Sequence, residues 1–238
     1  MIVIVGKGNV GTHLFDALKE KTLTVNVDSR NLNEIPDEAD IIIIAVSDGA
    51  IEEVARSIPE RKAIIAHTSG SIPMNVLPDK GKGVGVFYPL QTFTKGVPLN
   101  YSEIPLFLEA SNPEILKELK KTGSHFSNHI HEADSKTRKE LHLASVFACN
   151  FTNALASISE RLLKESGIDF SALLPLMRQT VDKLSRLSPS KAQTGPAVRG
   201  DEKVMQKHLE MLEGHPDLQT IYKLMSQEII RTKDKNEI

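Results

Sequence analysis

The sequence predicts an α/β protein: a doubly wound, largely parallel sheet in the N-terminal half, followed by an all-helical part. Three observations predict it. Short runs rich in Val and Ile alternate with helical stretches through the first half. Several of these runs are continuous rather than alternating, as in parallel strands covered on both faces. Beyond about residue 132 the strand pattern stops and long helical stretches follow. The expected domains are therefore 1–131 and 132–238.

Each element has its own signal. Residues 2–5, 23–27, 41–46, 63–66 and 84–87 read as strands, with helices at 9–20 and 49–57 between them. Strand, helix, strand in series marks a doubly wound sheet. Residues 105–109 and 125–131 read as two more polar strands. Asn112-Pro113-Glu114 opens a helix between them, with Asn as N-cap and Pro at the first helical position. Residues 135–165 hold no Gly or Pro and read as one helix, whose apolar middle from Leu141 to Leu155 should be buried on several sides. Gly167 is its expected C-cap. Further helices are expected at 169–187, 201–213 and 217–231, with Pro175 forcing a kink or a late start in the first.

Composition narrows the function. The 238 residues carry 29 Lys+Arg against 31 Asp+Glu, a net charge of -2, with 40% hydrophobic residues. Near-neutral charge argues against a general nucleic-acid binder, which needs a basic face. No apolar run approaches the roughly 20 residues of a membrane span; the longest, Ile41 to Val46, has strand length. The start of the chain lacks the marks of a signal peptide. One cysteine, Cys149, permits no internal disulfide, and no Cys/His set has zinc spacing, so no metal is expected. A cytoplasmic setting is the default expectation.

Gly6-Lys7-Gly8-Asn9-Val10-Gly11 matches G-x-G-x-x-G between a strand and a helix. Gly6 permits the tight turn, Gly8 lets a diphosphate approach the backbone, and Gly11 allows close helix–strand packing. Asn9 and Val10 begin a helix whose unpaired N–H groups face the phosphates. The unit is thus expected to bind a dinucleotide. At the end of the second strand, Asp28 stands where an acidic residue takes the ribose hydroxyls of NAD, whereas Ser29 and Arg30 suit a 2′-phosphate. NADP(H) is favoured, with NAD as the alternative.

These features, together with Ala45-Val46-Ser47-Asp48, His67-Thr68-Ser69-Gly70-Ser71, Tyr88-Pro89-Leu90-Gln91-Thr92-Phe93 and Thr194-Gly195-Pro196-Ala197-Val198-Arg199-Gly200-Asp201, carry a resemblance over nearly the whole chain. It resembles a family with a Rossmann-like NADP-binding domain and a helical C-terminal domain of unassigned function. That family is distantly related to pyrroline-5-carboxylate reductase and deazaflavin-dependent NADP reductases. The resemblance implies NADP-dependent oxidoreductase chemistry, a helical domain like the C-terminal domain of 6-phosphogluconate dehydrogenase, and a homodimer formed through it. It supplies no substrate. Where many members carry His before Pro-Leu-Gln, this chain has Tyr88.

The expected site lies at the carboxyl edge of the sheet. Val46, Ser47, Asp48 and Ser69 are expected to join the cofactor-binding residues Gly6, Gly8, Asn9, Val10, Gly11, Ser29 and Arg30. Helix capping is the other reading of Ser47 and Asp48, and a turn closed by its own side chains is the other reading of His67, Thr68 and Ser69. His142, His67 and Tyr88 are the proton-transfer candidates, in that order. Asn150, Arg199 and Gln91 are expected to bind substrate, while Cys149 and Asn153 are read as core. The expected activity is hydride transfer to or from a small C=O or C=N substrate bound between the two domains. The alternative is a dinucleotide-binding sensor or assembly protein without turnover.

Overall fold

β-Branched residues dominate the first strands, and they pack both ways. Ile2–Val5 (β1), Thr24–Val27 (β2), Ile41–Ile44 (β3), Ile64–His67 (β4), Gly83–Pro89 (β5), Leu106–Ala110 (β6) and Ile130–Glu132 (β7) form one sheet in the order β2-β1-β3-β4-β5-β6-β7. Every neighbouring pair is parallel except β5 with β6. The structure, a computed structural model, describes residues 1–164 and 166–234. Position 165, the expected end of the long helix, lies outside the described residues.

Alternate residues of one strand enter different cores. Ile2, Ile4, Ile41 and Ile43 pack with Leu14 and Leu18 on one face. Val3, Val5, Ile42 and Ile44 pack with Ile51, Ala55 and Ile58 on the other. The first set lies against Asn9–Leu18 (α1) and the second against Ile51–Ser57 (α2). Two-sided burial is why these strands lack polar alternation. Pro113–Gly123 (α3) starts as expected: Asn112 Oδ1 accepts from Ile115 N–H at 2.9 Å and Pro113 opens the first turn.

The chain divides into two compact units, Met1–Leu155 and Ala156–Ile238. The long helix runs across the division. It comprises Ser135–Ser145 (α4), a π-helical segment Val146–Phe151, and Thr152–Lys164 (α5). Its expected burial is corrected: Leu143 is 61%, Phe147 63%, Phe151 49% and Leu155 39% exposed. Cys149 and Asn153, read as core, are exposed too. Apolar periodicity shows that a face requires a partner; it does not show that the same chain supplies one. By length and composition the run Ser135–Lys164 is also apolar enough to cross a membrane.

In the second unit, Gly167 has φ 67, a left-handed turn after the helix. Leu174–Leu184 (α6) has Pro175 in its first turn, the late start that proline imposes. Two short helices, Pro189–Ala192 (α7) and Pro196–Arg199 (α8), precede Glu202–Met211 (α9) and Pro216–Asp234 (α10). His208 Nδ1 and Tyr222 Oη, 2.9 Å apart, tie α9 to α10.

Candidate active site

The glycine loop closes as its sequence demands. Gly6 has φ 122, and a Cβ there would lie 2.3 Å from the Ala45 carbonyl oxygen; one on Gly11 would lie 2.1 Å from the Gly6 oxygen. Gly8 differs, because a Cβ there would meet nothing. It borders a cavity of about 460 Å³ lined by Gly6, Lys7, Gly8, Asn9, Val10, Ser29, Ala45, Val46, Ser47 and Ala50. Gly8 is also the N-cap of α1, which has no side-chain cap and no acid in its first turn. The first N–H groups of α1 therefore border a concave space with a positive dipole end behind them.

Asp28 and Arg30 hold each other. Arg30 donates from Nε and Nη2 to the two Asp28 oxygens, each at 2.9 Å, and its backbone N–H donates to Oδ1 at 3.0 Å. These bonds hold the Asp28 carboxyl far below the usual carboxylate range. Arg30 is 86% exposed, so its guanidinium stands at the surface beside Ser29 with its Nε–Nη2 edge held by Asp28. Asp48 accepts from Ser71 Oγ at 2.5 Å. Neither Ser47 nor Asp48 caps α2 through its side chain; the N-cap there is Ala50.

The turn after β4 is closed largely by its own groups. Ser69 Oγ accepts from the N–H of Ser71 at 3.1 Å and of Ile72 at 3.0 Å. His67 is fully buried, and its Nδ1 accepts from Ser69 N–H at 3.1 Å, which puts the ring proton on Nε2. Burial, then the nearby Arg138 guanidinium, push the His67 pKa down to about 4 against weaker pulls from the Pro73 carbonyl and Asp48. His67 and Ser69 do not line either cavity described here. The side-chain-closed turn describes this segment best.

Tyr88 and His142 meet. Tyr88 Oη lies 3.2 Å from His142 Nδ1, with the rings edge-on at 67°. Gly70 makes the approach feasible: a Cβ there would stand 2.7 Å from Tyr88 Cζ and 2.8 Å from His142 Nδ1. Burial raises the phenol pKa above its ordinary value, opposed by Arg138 and reinforced by Asp48. The pair borders a cavity of about 430 Å³, lined also by Leu90, Gln91, Thr92, Ser145, Ala148, Cys149 and Asn150. The π segment carries Ala148, Cys149 and Asn150 to this wall, as such segments often do at functional sites.

The structure thus gathers Tyr88, Gln91, His142 and Asn150 at one cavity, and Gly6, Gly8, Asn9, Val10, Ser29, Val46 and Ser47 at another. Arg199 belongs to the second unit, exposed on α8 between Gly195 and Gly200. Sequence reasoning missed Lys7, Ser145 and the buried Arg138. For Arg138 the available signal was its place one helical turn before His142.

Residues 104–229, more than half of the chain, match the family described as a domain of unknown function, DUF2520. The chain belongs to the DUF2520 family. Among similar solved structures, the "putative NADP oxidoreductase" BF3122 of Bacteroides fragilis is 37% identical, with a TM-score of 0.88 and 97% of each chain covered. Protein TM1727 of Thermotoga maritima is 22% identical, with a TM-score of 0.75 over 100% of each chain. Plasmodium falciparum pyrroline carboxylate reductase, solved with NADP bound, is 12% identical, with a TM-score of 0.60 over 98% of this chain and 97% of that one. The last two show a shared fold, in line with the resemblance read from the motifs. No curated protein matches the chain.

Proposed function

We propose that this DUF2520 protein is an NADP(H)-dependent oxidoreductase acting on a small C=O or C=N substrate at the Tyr88–His142 cavity. The observation that carries the reading is this pair, standing at the same sheet edge as a dinucleotide cradle with an uncapped helix end. The name of the Bacteroides relative and the NADP bound to the Plasmodium reductase support it.

The cradle fits a diphosphate, because the open side of Gly8 faces space that a side chain would fill. The N–H groups of Asn9 and Val10 hold the phosphates, and Ser29 and Arg30 take the 2′-phosphate. A bound nicotinamide coenzyme supplies the hydride. The protein supplies the proton. With Nδ1 protonated, His142 donates to Tyr88 Oη and leaves the phenol hydrogen directed at substrate. The half-exposed imidazole then restores the proton from water. In the oxidising direction the same pair accepts it. Gln91 and Asn150 orient the substrate by hydrogen bonds.

The test is NADPH oxidation with a panel of imines, 2-oxo acids and aldehydes. Turnover should fall by about 100-fold in Tyr88→Phe and in His142→Ala. Unchanged rates in both variants remove the pair from the reaction, and coenzyme binding without turnover on any substrate selects a sensor instead.

The proposal includes a homodimer in the cytoplasm. Leu143, Phe147, Phe151 and Leu155 form an exposed apolar stripe. Arg138 and Ser135 fasten the first turns of the same helix to the sheet unit, which favours a second copy over a bilayer as its cover. Phe147→Asp should turn a sedimenting dimer into a monomer; a wild-type monomer at all concentrations refutes the dimer.

A further inference from the structure

Among the described residues, the largest side chain wholly sealed from solvent is a charged one, Arg138 on α4. Nη2 donates to Glu109 Oε2 on β6 at 2.8 Å and to Ser135 Oγ at 3.2 Å. Nη1 donates to the carbonyls of Ile72 at 2.9 Å and Gly70 at 3.3 Å. Ser135 Oγ donates in turn to the Glu109 carboxylate and accepts from Met74 N–H at 3.1 Å. Nε alone has no partner.

A sealed ion pair is a poor way to stabilise a fold, because desolvation offsets most of the attraction and apolar residues of equal volume serve as well. What this pair does provide is a fixed position. Arg138 and His142 are one turn apart on the same face of α4. The carbonyl that Arg138 holds belongs to Gly70, the residue whose missing side chain admits both the Tyr88 ring and His142 Nδ1. The clamp and the proton-transfer pair therefore share one helix face and one turn.

We propose that Arg138 is a positioning residue for the Tyr88–His142 pair. Tied to Glu109 and to the Gly70 and Ile72 carbonyls, it sets the height of α4 against the turn and so the approach of His142 to the phenol. Its charge also stabilises the phenolate that proton donation leaves behind. The inference rests on the oxidoreductase reading for what the pair is used for, but the clamp itself is testable without substrate.

Tyr88, on β5, feels Arg138 and His142 from α4 and Asp48 from the turn after β3. Glu109, on neighbouring β6, is engaged by Arg138. The chain has 3 tyrosines and no Trp, so ultraviolet tyrosinate absorbance is unobscured. Subtracting the titration of Tyr88→Phe isolates this phenol in each background. In the double variant Arg138→Met/Glu109→Met its midpoint should rise by about half a pH unit or more. In Arg138→Lys, which keeps the charge but loses the planar fork, the ring-nitrogen resonance of His142 should no longer respond to Tyr88→Phe, as it does in the parent. Either readout left unmoved in a variant that still melts cooperatively overturns the proposal. If the double variant does not fold, the lysine arm decides alone. Neither readout involves coenzyme or turnover, so failure of the clamp leaves the oxidoreductase reading standing, and absence of turnover leaves the clamp standing.

Discussion

At the β1–β3 end of the sheet edge, α1 begins at Gly8 with no side chain accepting from its first N–H groups. At the β4–β5 end, Ser69, Ser71, Asp48, Glu109 and Arg138 are joined in hydrogen bonds to one another or to nearby backbone. Three other helices of this chain start with a side-chain cap: Asn112, Asp134 and Asp201 accept from the N–H three residues on, at 2.9, 2.7 and 3.2 Å, whereas α2 and α6, like α1, start without one. What sets the bare end of α1 apart is the concave space that Gly8, Asn9 and Val10 border. Donors left without partners at a concave surface are held for a ligand, whereas a network bonded largely within itself, with Arg138 Nε and His67 Nε2 its unpaired atoms, fixes the groups that act on one.

The sharpest way to break this contrast is Gly8→Asp. A carboxylate in the cradle repels a diphosphate by about 4 kcal/mol at contact distance, so NADPH affinity should fall on the order of a thousandfold in a fluorescence titration. Wild-type affinity in that variant would mean the bare helix end holds no phosphate.

The β4–β5 end gives a pH signature. His67 is held neutral, with a pKa of about 4 against 6.5 for a free imidazole. The unfolded chain therefore binds the extra proton first, and stability is complete above about pH 6.5 and declines as pH falls toward 4. The decline should amount to about 3 kcal/mol, read from denaturant midpoints, and His67→Gln should flatten it. An equal slope in that variant would place the ring in contact with water.

Smaller effects sharpen the comparison. Arg30→Ala removes the 2′-phosphate fork and should reduce the preference for NADPH over NADH by about tenfold; equal affinities for both coenzymes in the parent would contradict the assignment. Asn112→Ala, at a capped helix away from both cavities, should cost about 1 kcal/mol of stability with NADPH affinity unchanged.

How much the sequence disclosed follows from the range of each signal. The glycine loop, the two-sided strands and the Asn112–Pro113 start were legible because each is set within a few residues. Tyr88 and His142 were each legible as candidates, but their meeting was not, since 54 positions separate them and only the packing of α4 on the sheet joins them. Arg138 carried no sequence signal of its role because its partners sit on β6 and in the turn after β4. His67 read as a proton carrier because sequence shows a residue's type but not its burial. The apolar middle of the long helix was read as buried on several sides, and in the single chain Leu143, Phe147 and Phe151, like Cys149 and Asn153, are exposed, because apolar composition does not show which surface covers a face.

The π segment Val146–Phe151 holds one residue more than the α-helical turn it replaces. Each helical residue advances the azimuth by roughly 100°. Deleting a single residue there would restore regular winding while rotating everything downstream, so that the flank beyond Asn150 would face a new direction although its composition had not changed. The bulge acts as a phase setting: it lets one uninterrupted rod turn His142, Ser145 and Asn150 to a cavity while Leu143, Phe147, Phe151 and Leu155 stay on the outside.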